Sequence, residues 1–179
     1  MTSRLFLVVL GGRINGCNVE LHDVRWVIGE TIEDTIKTLK NEWVGNKKGL
    51  HIDSYRKILR VDGMSVTVVH SPTMNNSLNE NKLWFVNLGG YSSQSMAEQH
   101  EFGIVVARTA QSAKAIAKQR WLNGMNQIHK DDLYKIDRNP IVDDLLPIDG
   151  NGRWHIQLSP STGEVTASEA PDWTGYWLI

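Results

Sequence analysis

Residues 5–10, Leu-Phe-Leu-Val-Val-Leu, form an unbroken apolar run. That is the pattern of a short strand covered on both faces. Gly11-Gly12 closes it, and a loop runs to about Val19. From Leu21 to Ile28 the chain alternates, with His22, Val24, Trp26 and Ile28 on one face, which predicts a second strand. Thr31 followed by Asp34 predicts a helix N-cap in a capping-box arrangement. Ile32, Ile36, Leu39 and Trp43 then recur at helical spacing, and Gly45 supplies a stop. His51 to Ile58 reads as a third strand. Asp62-Gly63 is a turn dipeptide, and Met64 to His70 alternates as a fourth strand before Ser71-Pro72. One unit is therefore ββαββ.

The pattern then starts again. Slid by 78 positions, Leu5–Ile58 lies on Leu83–Ile136 without a gap, and 15 of these 54 positions are identical. Unrelated sequences would give about three at ordinary residue frequencies. Thr109 caps the second helix, Ala113, Ala117 and Trp121 mark its buried face, and Gly124 closes it. Ile148-Asp149-Gly150, Trp154 to Leu158 and Ser159-Pro160 repeat the ending, after an insertion around Ile141 to Pro147. The expected fold class is α+β: a tandem duplication, (ββαββ)2, mainly antiparallel, with one helix per unit and a pseudo-two-fold relation. Residues 1–72 are the first repeat, 73–81 a polar linker, 82–160 the second repeat and 161–179 a tail. A unit of this size is marginal alone, so the copies are expected to share a core. Trp173, Tyr176 and Trp177 in the tail would form an exposed patch unless they dock on the body or on a partner.

Composition narrows the function classes. Hydrophobic residues make up 41% and charged residues 22% of the chain, with a formal net charge of -1. No global basic field points to nucleic acid or an anionic membrane as a partner. The basic pair Lys47-Lys48 has Met125-Asn126 at the equivalent positions and reads as a solvated loop. The one cysteine, Cys17, aligns with Ser95, so no disulfide forms within the chain, which fits a cytoplasmic location. The apolar start is not read as a signal peptide, because Leu83-Trp84-Phe85-Val86-Asn87-Leu88 repeats it in mid-chain. No run approaches the length of a transmembrane helix.

The repeat also selects the candidate chemistry. If the second strand runs antiparallel to the first and the helix returns the chain, the glycine pair and the polar residues meet at one end of each unit. The candidate ligand-binding residues are Gly11, Gly12, Glu20, His22, His51 and Asp53, with Gly89, Gly90, Glu98, His100, His129 and Asp131 in the second copy. Residues i and i+2 of a strand share a face, so Glu20 and His22 project together, as do His51 and Asp53. His22, His51 and Asp53, with His100, His129 and Asp131, suit a divalent metal such as zinc, manganese or non-haem iron. Their spacings match no established metal signature. The same residues also serve a structural reading, in which His–carboxylate contacts lock a loop to a strand start. Trp43 and Trp121 are read as core anchors. The glycine pairs are expected to form turns of positive φ, since no helix follows them as in a phosphate loop. No Ser/His/Asp order is present.

Several segments carry a resemblance. Asn18-Val19-Glu20-Leu21-His22-Asp23-Val24, Leu50-His51-Ile52-Asp53-Ser54, Phe85-Val86-Asn87-Leu88-Gly89-Gly90-Tyr91, Glu101-Phe102-Gly103-Ile104-Val105-Val106-Ala107 and His129-Lys130-Asp131-Asp132-Leu133 resemble the bacterial family called domain of unknown function 1543. The resemblance covers about residues 4–160 and implies a bacterial, soluble, two-copy member. It implies no activity, ligand or catalytic residue.

Three functions follow as expectations. The leading one is a pseudo-symmetric module that binds a small ligand or a protein partner through a cleft between the copies. The alternative is a metal-dependent enzyme, hydrolytic in type, using the duplicated His/Asp/Glu clusters. The third is an interaction protein whose working surface is the aromatic tail.

Overall fold

The structure is a computed structural model that describes residues 2–70, 81–91, 93–121, 127–129, 145–150, 152–161 and 170–179. The fold is α+β, with mostly antiparallel strands and, among the described residues, two α-helices. The chain divides into one unit of Met1–His70 with Ser159–Ile179 and a second of Ser71–Leu158.

In the first unit, β1 (Arg4–Gly12) lies between β2 (Leu21–Gly29) and β3 (His51–Ile58), and β11 (Trp173–Leu178) adds to the outer edge of β3. All neighbours are antiparallel. The continuous apolar run of β1 is explained by this position, since a central strand is covered on both faces. Phe6, Val8 and Leu10 pack on one face with Leu39 and Trp43 of the helical segment, and with Leu50 and Ile52. Val24 and Trp26 pair with Val9 and Leu7 and so lie on the opposite face with His22. The tail docks through its aromatics: Trp173 stacks on Tyr55, and Trp173, Trp177 and Ile179 pack against the same core.

The helix start differs from the expected N-cap. The Thr31 N–H and hydroxyl both donate to Asp34 Oδ2, at 2.9 and 3.1 Å. Thr31 is thus held by Asp34, and no side-chain cap forms; a 3-10 turn, Glu33–Thr35, leads into α1 (Ile36–Glu42). Residue Ile32 already has helical backbone angles, whereas an N-cap takes extended ones. The buried Thr35 hydroxyl donates to the Ile32 carbonyl. The helix ends at Trp43, whose backbone is extended, before Gly45 is reached. Beyond β3, β4 (Arg60–Val61) and β5 (Met64–Val69) form a hairpin over Asp62-Gly63. Both turn residues have positive φ, 52° and 74°, as a two-residue turn that matches strand twist requires.

In the second unit, β6 (Lys82–Tyr91) pairs with β7 (Gln99–Ala107) on one side and with β8 (Gln127–His129) and β9 (Leu145–Pro147) on the other. The 78-residue offset holds at the level of strand register: Gly11↔His22 becomes Gly89↔His100, and Gly11↔His51 becomes Gly89↔His129. It breaks further along. Tyr55 pairs with Val8, but Val86 pairs with Leu145. The stretch expected as an insertion therefore contains a strand. Residues 130–144, 71–80 and Gly124 lie outside the described residues, and with them most of the expected linker.

α2 (Ala110–Arg120) has the full capping box, with Thr109 and Ser112 satisfying each other's backbone N–H groups. Ala113 and Ala117 are fully buried. Trp121 lies over Gly103, and a side chain there would overlap its indole. β5 and β10 (His155–Pro160) stand outside the two four-stranded sheets. Within the first unit, the Ser161 N–H donates to the Gly63 carbonyl. Among the described residues, no helix is long and apolar enough to cross a membrane.

Candidate functional site

The end of β1 brings the duplicated residues of the first unit together. Gly11 pairs with His22 on β2 and with His51 on β3. Directly paired residues project to the same side of an antiparallel sheet, so both imidazoles stand on one face. This is the face opposite the one that packs on α1. Asp53 joins them through a bulge. Val9 pairs with Ser54 and Leu10 with Ile52, which leaves Asp53 as the extra residue of β3. Bulges re-aim a side chain in this way.

The geometry runs from buried to exposed. His51 is 2% exposed, and its Nδ1 lies 2.9 Å from the Gly49 carbonyl. A carbonyl only accepts, so Nδ1 carries the proton. His51 Nε2 is 3.2 Å from Asp53 Oδ1, and Asp53 Oδ2 is 3.3 Å from His22 Nε2. His22 Nε2 is also 3.8 Å from Glu20 Oε1, and both of these side chains are about half exposed. One carboxylate therefore bridges a buried imidazole and an accessible one. Asp53 Oδ2 is shut off from solvent and has no hydrogen-bond partner among the described residues. His22 stands within ion-pair distance of it but not in hydrogen-bond geometry.

Gly11 makes this arrangement possible. A Cβ there would overlap His51 Nε2 and lie 2.9 Å from Asp53 Oδ2. A Cβ on Gly12 would lie 2.8 Å from Cζ2 of Trp43. Neither glycine has positive φ, and both belong to β1. The expected turn is thus replaced by close packing: the glycines are needed for their missing side chains, not for their backbone freedom. Gly89 and Gly90 likewise lie within β6.

Tyr176 belongs to the site although it was not among the expected residues. Between Thr174↔Ser54 and Trp177↔Ile52, β11 carries two residues, Gly175 and Tyr176, opposite the single residue Asp53. This turns the Tyr176 ring onto His51, with centroids 4.1 Å apart and planes inclined by 31°. Tyr176 remains 66% exposed, so its other face is open. The run of tail aromatics was the available signal, but nothing in their spacing assigns one of them to β3.

The second unit is built differently. The Glu98 carboxylate occupies the space a Gly89 side chain would fill. His100 Nε2 is 3.6 Å from Glu98 Oε2, and Asn87 Nδ2 is 3.5 Å from His100 Nδ1. Asn87 Oδ1 is buried without a hydrogen-bond partner among the described residues. The backbone of Gly90 pairs with Gln99 and Ile128. His129 is placed by its backbone in β8; Asp131 lies outside the described residues. Among the described residues, no group of three or more His, Cys, Asp or Glu is arranged to hold a metal ion. In the first unit each imidazole Nε2 approaches a different oxygen of Asp53.

The family model "Domain of Unknown Function (DUF1543)" matches residues 17–68 and 95–156, more than half of the chain. The chain belongs to the DUF1543 family. The two DUF1543 segments begin at equivalent positions of the repeat, the first containing Glu20, His22, His51 and Asp53 and the second Glu98, His100, His129 and Asp131. Among solved structures, the crystal structure of protein Il1583 from Idiomarina loihiensis is similar, at 30% identity and a TM-score of 0.71. The match covers 99% of this chain and 98% of that one. No curated protein matches the chain. Tyr176 lies beyond both DUF1543 segments.

Proposed function

We propose that this DUF1543 protein is a binding module built from two ββαββ repeats, residues 1–72 and 82–160. Its small-ligand site is formed by Asp53, His22, His51, Glu20 and Tyr176 in the first unit. The observation that carries the reading is Asp53 Oδ2, an oxygen enclosed without a hydrogen bond among the described residues, beside a half-exposed imidazole. Leaving such an acceptor unmatched costs about 1–3 kcal/mol. A ligand N–H or O–H that reaches it recovers that cost, so the site favours an occupant. The buried His51 Nε2 stands 3.2 Å from Oδ1, so Oδ2 is the oxygen left to accept from a ligand.

The test is a fragment screen by ligand-observed NMR on the full chain, run beside Asp53→Asn and His22→Ala. Support consists of hits that weaken at least tenfold in Asp53→Asn. A set of hits that binds both variants as well as the wild type places the site elsewhere. An absence of hits removes the binding reading for this cluster.

A further inference from the structure

We propose that the ligand is a planar cationic nitrogen group, an amidinium or guanidinium, seated against Tyr176 and hydrogen-bonded to Asp53 Oδ2. The inference rests on the binding site proposed above and specifies what it takes. Three features of the site point the same way.

The first is the hydrogen-bond inventory. Asp53 Oδ2 offers an acceptor, and Glu20 offers a second carboxylate 3.8 Å from His22 Nε2. Carboxylates only accept when ionised, and charge-assisted N–H donors form the stronger bonds with them. An anion at this position would meet two carboxylates. A planar fork of N–H groups matches carboxylate geometry better than a point charge does.

The second feature is the exposed ring. Tyr176 has one face on His51 and is 66% exposed. A flat cation lying on an aromatic face is attracted by the ring's quadrupole. The bulge of β11 is what presents this ring at the level of Asp53. Tyr176 is therefore a specificity-determining residue supplied by the tail, far in sequence from the other members of the site.

The third feature is access. His22 covers Asp53 Oδ2 at 3.3 Å without hydrogen-bond geometry, and its side chain is 53% exposed. The ring is thus able to swing outward and let a better donor take its place. His51, at 2% exposure and anchored to Gly49, stays fixed. The moving part is one side chain, and the acceptor beneath it is already aimed.

Benzamidine, benzoate and benzyl alcohol share one shape and differ in charge, which makes them suitable probes. Each is titrated into the full chain while the ring nitrogens of His22 and His51 are followed by long-range 1H–15N NMR. Benzamidine is expected to shift the His22 signals most, with Asp53→Asn weakening binding more than tenfold. Tyr176→Phe is expected to bind as the wild type does. Tyr176→Leu is expected to lose about three- to fivefold, as befits a partly exposed cation–π contact. The Ile179 amide, which donates to the Leu50 carbonyl, reports whether β11 stays docked in each variant. If benzoate or benzyl alcohol shifts His22 while benzamidine does not, the cation assignment is wrong and the site stands. If none of the three shifts His22 and the fragment screen is also empty, the site itself falls. Equal benzamidine affinity for Tyr176→Leu with β11 docked overturns the role of Tyr176.

Discussion

Tyr176 covers the buried ring of His51, although the two come from opposite ends of the first unit's sequence and meet only because β11 pairs with β3. Removing residues 170–179 takes away this cover together with Trp173, Trp177 and Ile179. Each aromatic contributes apolar area on the order of 1.5–3 kcal/mol when fully buried, and these are partly buried. The truncated chain is expected to unfold several degrees lower in a thermal melt. It should also self-associate in sedimentation, because β3 becomes an unprotected edge.

Gly11→Ala forces a methyl group into His51 Nε2 and to 2.9 Å from Asp53 Oδ2. Overpacking of this kind costs about 1–3 kcal/mol. Urea denaturation should show that loss, and the His51 ring resonances should move. A variant as stable as the wild type with unchanged His51 signals would mean that the two side chains are not held over Gly11.

The two helix starts should respond differently. Thr109→Ala removes a complete capping box and is expected to cost about 1 kcal/mol. Thr31→Ala should cost less, because the Thr31 N–H keeps its bond to Asp34. Equal losses for the two variants in matched urea titrations would contradict the structural difference between them.

Asp34 carries a pH signature. The backbone and side-chain hydrogen bonds from Thr31 lower its pKa below the ordinary value of 3.8. A lowered folded-state pKa means stability that is complete above 3.8 and is lost as pH falls through the lower folded value. Asp34→Asn should therefore be less stable than the wild type at neutral pH. The gap should close as the buffer is taken below pH 3.8. A constant gap across that window would show that the charge on Asp34 does not contribute.

Much of the first unit was legible in the sequence because the relevant physics is local. Strand alternation placed His22 with Val24 and Trp26, while Asp53 reaches His51 through a bulge and the two imidazoles meet at Gly11 through strand pairing. Trp43 and Trp121 are buried anchors, as their helical spacing indicates. The glycine pair misled because a missing Cβ and a positive φ leave the same letter in a sequence. Tyr176 was hidden for a different reason. Its place depends on a pairing between distant segments, and the tail has no repeated counterpart to mark it. The split third strand of the second unit was equally invisible, since gapless similarity continues through a stretch where the partners of β6 change.

The first unit consists of the first 70 residues together with the last 21 of the chain. A ribosome makes the first of these pieces before the second unit and the other after it. While the intervening residues are being made, β3 has no β11 beside it and His51 has no tyrosine above it. Of the two units, the one that is begun first is therefore the one that is finished last. A stop placed just after Leu158 would spare the second unit's sheet and strike the first.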